Sequence, residues 1–159
     1  MLSNNDLAEA LGNLAKELAA GESRPEFTMQ VEGAPQDLRP IMRDEVYRVA
    51  GEALRNAFRH ANAHQIEVEI RYDRRQLRLQ IRDDGQGIDP QLLRTDGLSG
   101  HYGLRGMRER AQSLGGELTI WSEVNSGTEI DLTVPSSGAY ANFGFAGFRI
   151  LARRRQTKS

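Results

Sequence analysis

Residues 66–83 read IEVEIRYDRRQLRLQIRD. Ile66, Val68 and Ile70 alternate with Glu67, Glu69 and Arg71; Leu77, Leu79 and Ile81 then alternate with Arg78, Gln80 and Arg82. Strict alternation places apolar side chains on one face of a strand and polar ones on the other. The spacing predicts an antiparallel hairpin of Ile66–Tyr72 and Gln76–Asp83. Its wet face would pair acids with bases across strands. A sheet wet on one side takes helices on the other side only, so the class is α/β with helices covering one face.

The stretch before the hairpin, EVYRVAGEALRNAFRHA at 45–61, has helical periodicity. Val46, Val49, Ala50, Ala53 and Ala57 fall on one side. Glu52, Asn56 and Arg59 fall together on the other, because residues three and four apart are neighbours on a helix. A carboxamide oxygen can ligate Mg²⁺, a guanidinium can hold phosphate and a carboxylate can take a proton. Asp37 is placed to cap this helix, with Pro40 in its first turn. Gly51 inside it costs about 1 kcal/mol, which close packing of a neighbour would explain.

Further upstream, Glu26–Glu32 alternates as a strand. Residues 3–20 carry Leu7, Leu11, Leu14 and Leu18 at helical steps. That stripe suits either half of a helix–helix interface or packing on its own domain.

Downstream, Asp83-Asp84-Gly85-Gln86-Gly87-Ile88 follows the strand directly, then an irregular stretch from Asp89 to Tyr102. Gly103-Leu104-Arg105-Gly106-Met107 opens a helix that stops at Gly115-Gly116. Strands Glu117–Glu123 and Thr128–Val134 follow, and residues 136–159 read as a basic, flexible tail. An ionised Asp83 can only accept hydrogen bonds, which suits the exocyclic amine of adenine and rejects the carbonyl of guanine. Gly85 and Gly87 would let backbone approach a flat base; a plain turn explains them equally. The glycine-led helix start at 103–106 offers N–H groups to an anion, and Arg105 can add charge or simply be solvated. Thr128 can offer a hydroxyl, or be an ordinary strand residue. His60 is more often a packed histidine than a catalyst; His64 and His101 carry no assigned role. There is no P-loop and no dinucleotide-binding fingerprint.

Composition narrows the class. The 159 residues suffice for one domain with a core. No cysteine is present, which excludes disulfides and zinc–thiolate sites. Three histidines make a histidine-based metal cluster a poor expectation. Residues 136–159 hold five basic side chains and no acid, which leaves the rest of the chain six negative. An acidic body does not suit direct nucleic-acid binding. No apolar run spans a bilayer and no signal peptide is seen, which points to the cytoplasm, or the cytoplasmic end of a membrane-bound sensor.

Three boxes in order, EALRNAFRHA (52–61), IRDDGQGI (81–88) and GHYGLRGMRERAQSLGGEL (100–118), then SGTEIDLTVP (126–135), resemble the ATP-binding domain of sensor histidine kinases in the GHKL ATPase superfamily. The E-A-L-x-N and G-L-x-G-M variants most resemble the kinases that pair with LuxR/NarL-type response regulators. The resemblance covers about residues 26–135 and implies a two-layer α/β sandwich with a mixed, mostly antiparallel sheet. It implies ATP and Mg²⁺ as cofactors. Asn56 would hold Mg²⁺, Glu52 would act as base or polariser, Arg59 would contact phosphate and His60 would line the nucleotide. Asp83 would bind the adenine amine with Gly85 and Gly87 beside the ring. Gly103, Leu104, Arg105 and Gly106 would form the lid on the phosphates, and Thr128 would lie behind the base.

The implied domains are a dimerisation-helix remnant at 1–21, the catalytic domain at 22–135 and the tail at 136–159. The implied partners are a histidine-bearing dimerisation domain, a response regulator receiver domain, and a second copy in a full-length homodimer. The chain departs from a full kinase: it has no upstream acceptor histidine, so as a fragment it would not autophosphorylate. Its lid is short and lacks a phenylalanine box, and the stretch at 89–102 would order on nucleotide binding. Two rivals stay open: an anti-sigma-type serine kinase, and a nucleotide-sensing or interaction module without transfer.

Overall fold

The computed structural model describes residues 6–94 and 103–141. Gly97, Gly100 and His101, and the basic side chains beyond residue 141, lie outside the described residues. Within them run α1 (Asp6–Ala19), β1 (Glu26–Glu32), α2 (Pro40–Arg59), β2 (Gln65–Tyr72), β3 (Gln76–Asp83), α3 (Pro90–Arg94), α4 (Leu104–Ser113), β4 (Glu117–Glu123), β5 (Gly127–Pro135) and α5 (Ser136–Ala139). The strands form one sheet in the order β1-β2-β3-β5-β4. β1 and β2 are parallel and every other pair is antiparallel. A parallel pair needs a crossover, and α2 supplies it.

The alternation in β2 and β3 sorts side chains as the sequence predicts. Ile66, Val68, Ile70, Leu77, Leu79 and Ile81 are buried in one core with Val46, Val49, Ala53 and Leu54 of α2 and Leu104 and Met107 of α4. The opposite face is polar, but its ion pairs run outward from the hairpin more than across it. Arg71 stands opposite Arg78. Like charges diverge, so Arg71 reaches Glu32 of β1 at 3.0 Å and Arg78 grips Asp131 of β5 at 2.6 Å. Arg82 likewise reaches Glu129 at 2.7 Å. Exposed pairs of this kind contribute roughly 0–1 kcal/mol each, so they set register more than stability.

Helix α1 lies on the helical layer of its own chain. Leu7, Leu11 and Leu14 are buried in the common core, and Leu18 packs partly against it. Of the two readings of the stripe, packing on its own domain is the one observed. A β-carbon on Gly51 would lie 3.4 Å from Leu14 Cδ2 and from Arg55 Nη1, an ordinary contact, so the α1–α2 packing is close there without demanding glycine.

Three details differ from expectation. Asp37 does not cap α2: the N-cap is Arg39, without a side-chain bond. The Asp37 carbonyl instead accepts the Ala141 N–H at 2.8 Å. Part of the stretch expected to be irregular is helical, because Asp89 Oδ1 accepts the Gln91 N–H at 2.8 Å and Pro90 suits a first helical position. The domain also reaches past residue 135. Ser136, Ala139 and Tyr140 are buried. The Tyr140 hydroxyl accepts the Asp73 N–H at 3.0 Å and faces the carbonyls of Asp73 and Gln76 at 2.7 and 2.9 Å. One aromatic residue thus fastens the β2–β3 turn, an anchor that periodicity does not reveal.

Helix α4 ends as expected. Gly116 N–H reaches Ala111 C=O at 2.9 Å and Gly115, at φ +69°, reaches Gln112 C=O at 3.0 Å. This is the paired closure that a left-handed glycine permits.

Candidate functional site

Sheet register lines up three polar side chains. Asp83 of β3 stands opposite Thr128 of β5, and Thr128 stands opposite Ser122 of β4. Asp83 also pairs with Ile66, a core residue, so the row lies on the helix-covered face. Asp83 is only 7% exposed. Its Oδ1 accepts the Gly85 N–H at 2.9 Å, and the carboxylate also takes the Thr128 N–H. Burial outweighs both and raises its pKa above the ordinary aspartate value, with Asp84 adding to the rise.

The turn after Asp83 is tied on both sides. Asp84 Oδ1 accepts the N–H groups of His64 and Gln65 at 2.8 and 2.9 Å, and these bonds, that from Gln65 foremost, hold its carboxyl below the usual range. Gln86 N–H reaches the Ala61 carbonyl at 2.7 Å. A β-carbon on Gly85 would lie 2.1 Å from that same oxygen, and one on Gly87, at φ +77°, 2.4 Å from the Glu123 carbonyl. The neighbours that demand glycine here are backbone carbonyls, rather than space left for a base.

Helix α2 is the common wall. The turn just past its far end meets Gly85 through Ala61, and its middle meets the start of α4 through Glu52. A β-carbon on Gly103 would lie 2.6 Å from Glu52 Oε1. Gly103 itself is left-handed, at φ +60°, and no side chain among the described residues caps α4. The first N–H groups of α4 therefore open beside the polar face of α2, with the dipole favouring an anion there. Glu52 is partly exposed and pairs with Arg55 at 3.5 Å. Asn56 lies one turn on, half-buried, and Arg59 ends the helix in solvent. From Glu52 to Arg59 the axis advances roughly 10 Å. The buried acceptor and the open helix start thus sit at two stations along one helix.

A family-model comparison matches residues 42–138 to the histidine kinase-, DNA gyrase B- and HSP90-like ATPases. The chain belongs to this ATPase family. Among curated relatives, the sensor histidine kinase YdfH of Bacillus subtilis is 36% identical over 96 residues, 60% of this chain and 23% of that protein. The sensor histidine kinase LiaS of the same organism is 36% identical over 92 residues, 58% of this chain and 24% of that one. The chain spans about a quarter of the length of these relatives. Among solved structures, the histidine kinase domain of the Erythrobacter litoralis EL346 blue-light activated histidine kinase superposes with a TM-score of 0.64 at 26% identity, covering 82% of this chain and 61% of that one. The mixed five-stranded sheet is the fold of these ATPases.

Within this ATPase domain, the residues singled out in the sequence divide. Asp83, Gly85, Gly87 and Thr128 gather at the sheet end, and Glu52 and Gly103 meet at the α2–α4 junction, with Asn56 one turn further along α2. Leu104 is fully buried, so its side chain anchors α4 in the core and only its backbone faces the junction. Arg105 is exposed and pairs with Glu109 along α4 at 3.3 Å. A β-carbon on Gly106 would meet no described residue within 4 Å. His60 is exposed beyond the end of α2, and its carbonyl accepts from the Gln86 side chain.

Two residues went unnoticed in the sequence: Arg55, three residues after Glu52, and Ser122, which hairpin register sets opposite Thr128. An open cleft of about 410 Å³ on the polar face, lined by Glu67, Arg82, Asp84, Trp121 and Glu129 with Asp83, lacks both the α2 face and the α4 start. It is therefore not the candidate site. No helix among the described residues is long and apolar enough to cross a membrane.

Proposed function

We propose that this chain is the ATP-binding catalytic domain of a sensor histidine kinase. The seat of Gly103 on Glu52 carries the reading, because it brings a helix start with no side-chain cap among the described residues to the Glu52–Asn56 face of α2. The residues suit the ligand. Asp83 is a buried acceptor for an amine, and no described residue lies within 4 Å of where a Gly106 β-carbon would stand in the first turn of α4. The oxygen donors suit Mg²⁺. Among the described residues no three acidic or histidine side chains converge, so water and phosphate would complete the coordination.

When bound, MgATP supplies the transferable γ-phosphoryl group. Asp83 accepts the adenine amine, Thr128 stands behind the base and His60 lines the nucleotide. The N–H groups from Gly103 to Gly106 take phosphate oxygens, and Arg59 adds charge. Asn56 would hold the metal through its carboxamide oxygen. Glu52 takes or orients a proton at the attacking group. Positioning and charge neutralisation account for catalysis of this kind.

The phosphoryl group would pass to a histidine on an upstream dimerisation domain, joined through α1 in a homodimer on the cytoplasmic side. It would then pass to a LuxR/NarL-type response regulator. The test is to titrate ATP with and without Mg²⁺, then supply a separate histidine-bearing dimerisation segment with γ-labelled ATP. Label on histidine supports the kinase. Label on serine of a second protein supports the serine-kinase rival, tight binding without transfer supports a sensor, and absence of ATP binding overturns all three.

A further inference from the structure

Ser122 is bonded on three sides. Its Oγ lies 2.7 Å from the Ile88 nitrogen, 3.1 Å from the Gly127 carbonyl oxygen and 2.9 Å from Thr128 Oγ1. A serine hydroxyl has one proton and two lone pairs. Ile88 N–H can only donate, so one lone pair of Ser122 receives it. The Gly127 carbonyl can only accept, so the one proton of Ser122 goes there. The Thr128 contact is then a bond only if Thr128 donates to Ser122. One proton arrangement alone makes all three bonds.

With its proton held by Ser122, Thr128 Oγ1 presents only lone pairs to anything else beside it. Thr128 stands directly opposite Asp83, on the same face of the sheet. We infer that Ser122 is a positioning residue for purine specificity: it turns the Thr128 hydroxyl into an acceptor beside the Asp83 carboxylate, so that this row takes the exocyclic amine of adenine and rejects the carbonyl of guanine. This rests on the nucleotide reading above. Without Ser122, the Thr128 hydroxyl is free to rotate and donate to the carbonyl of guanine. An unpaired acceptor facing an acceptor is costly, whereas a rotating hydroxyl relieves that cost.

The test is ATP and GTP titration of the chain, Ser122→Ala, Thr128→Val and the double variant. The wild type should prefer ATP. Ser122→Ala should narrow the ATP-to-GTP affinity ratio by about fivefold, a shift of about 1 kcal/mol. In the Thr128→Val background the same change should leave the ratio where Thr128→Val alone puts it, because the oxygen through which Ser122 acts is gone. Equal losses for both nucleotides in Ser122→Ala, or an equal narrowing in the Thr128→Val background, would overturn the inference. Should Ser122→Ala fail to fold, Thr128→Val decides alone: a narrowed ratio supports the acceptor role, and an unchanged ratio overturns it. A wild type that binds neither nucleotide removes the functional reading itself, an outcome visible before any variant is made.

Discussion

Gly103 rests against the carboxylate of Glu52, so close that a β-carbon at residue 103 would lie 2.6 Å from Oε1. The left-handed φ of +60° adds a second demand for glycine. Gly103→Ala therefore meets both a clash and backbone strain of about 1–3 kcal/mol. The glutamate or the helix start must move. ATP affinity should fall at least tenfold while far-UV circular dichroism stays unchanged. Gly106→Ala is the comparison, because its β-carbon would meet no described residue within 4 Å. It should stabilise α4 by about 0.5–1 kcal/mol on thermal melting, and any loss of nucleotide affinity in it reports direct contact with phosphate.

Asp83 is held at a cost to folding, and that gives a pH signature. Burial raises its folded pKa, so its contribution to stability is fullest below the unfolded carboxylate pKa and is lost as pH rises through the folded value. Asp83→Asn keeps an oxygen for the Gly85 and Thr128 N–H groups and removes the buried charge. At neutral pH it should melt no lower than wild type, and any advantage should vanish as pH falls through the acidic carboxylate range. ATP binding should be lost throughout. A variant that melts normally yet binds ATP undiminished would show that Asp83 does not read the base.

Asn56 separates metal from nucleotide. It lies one turn beyond Glu52 on α2 and is half-buried. Asn56→Ala should weaken MgATP by about tenfold or more, and ATP in chelator by much less. Equal losses in paired titrations would remove the metal assignment.

The sheet was legible because its physics is local. Residues two apart share a face, and the runs at 26–32, 66–72 and 76–83 obey that rule without interruption. The resemblance placed Asp83, Gly103 and Glu52 in one site. What stayed hidden depends on neighbours remote in sequence. Gly85 reads as a gap for a ligand until Ala61 is seen to fill it. Arg105 reads as either a phosphate ligand or a solvated side chain, and the exposed pair it makes with Glu109 is invisible until the helix is built. Tyr140 carries no periodic signal, because its worth lies in bonds to a turn some 67 residues earlier.

That tyrosine gives a prediction against the view of 136–159 as a tail. Tyr140→Phe keeps the buried ring and removes the hydroxyl from the Asp73–Gln76 turn. Leaving those backbone groups without their partner should cost about 1–3 kcal/mol. Chemical denaturation should place a chain ending at residue 135 below one ending at 141, and equal midpoints would return the segment to the status of a tail.

The leucine stripe offers the last test, since two arrangements of it predict opposite observables. Leu11 is 0% exposed in the core beneath α2. If that packing is the state in solution, Leu11→Ala removes buried apolar volume and should cost about 2–5 kcal/mol on denaturation. The oligomeric state should not change. If instead the stripe joins two copies, the same substitution should shift sedimentation toward monomer and leave the denaturation midpoint of the isolated domain nearly constant. Because Gly51 admits Leu14 at van der Waals distance, Gly51→Leu supplies an independent check. Added bulk there forces α1 away from α2, so it should lower stability only where the two helices pack within one chain.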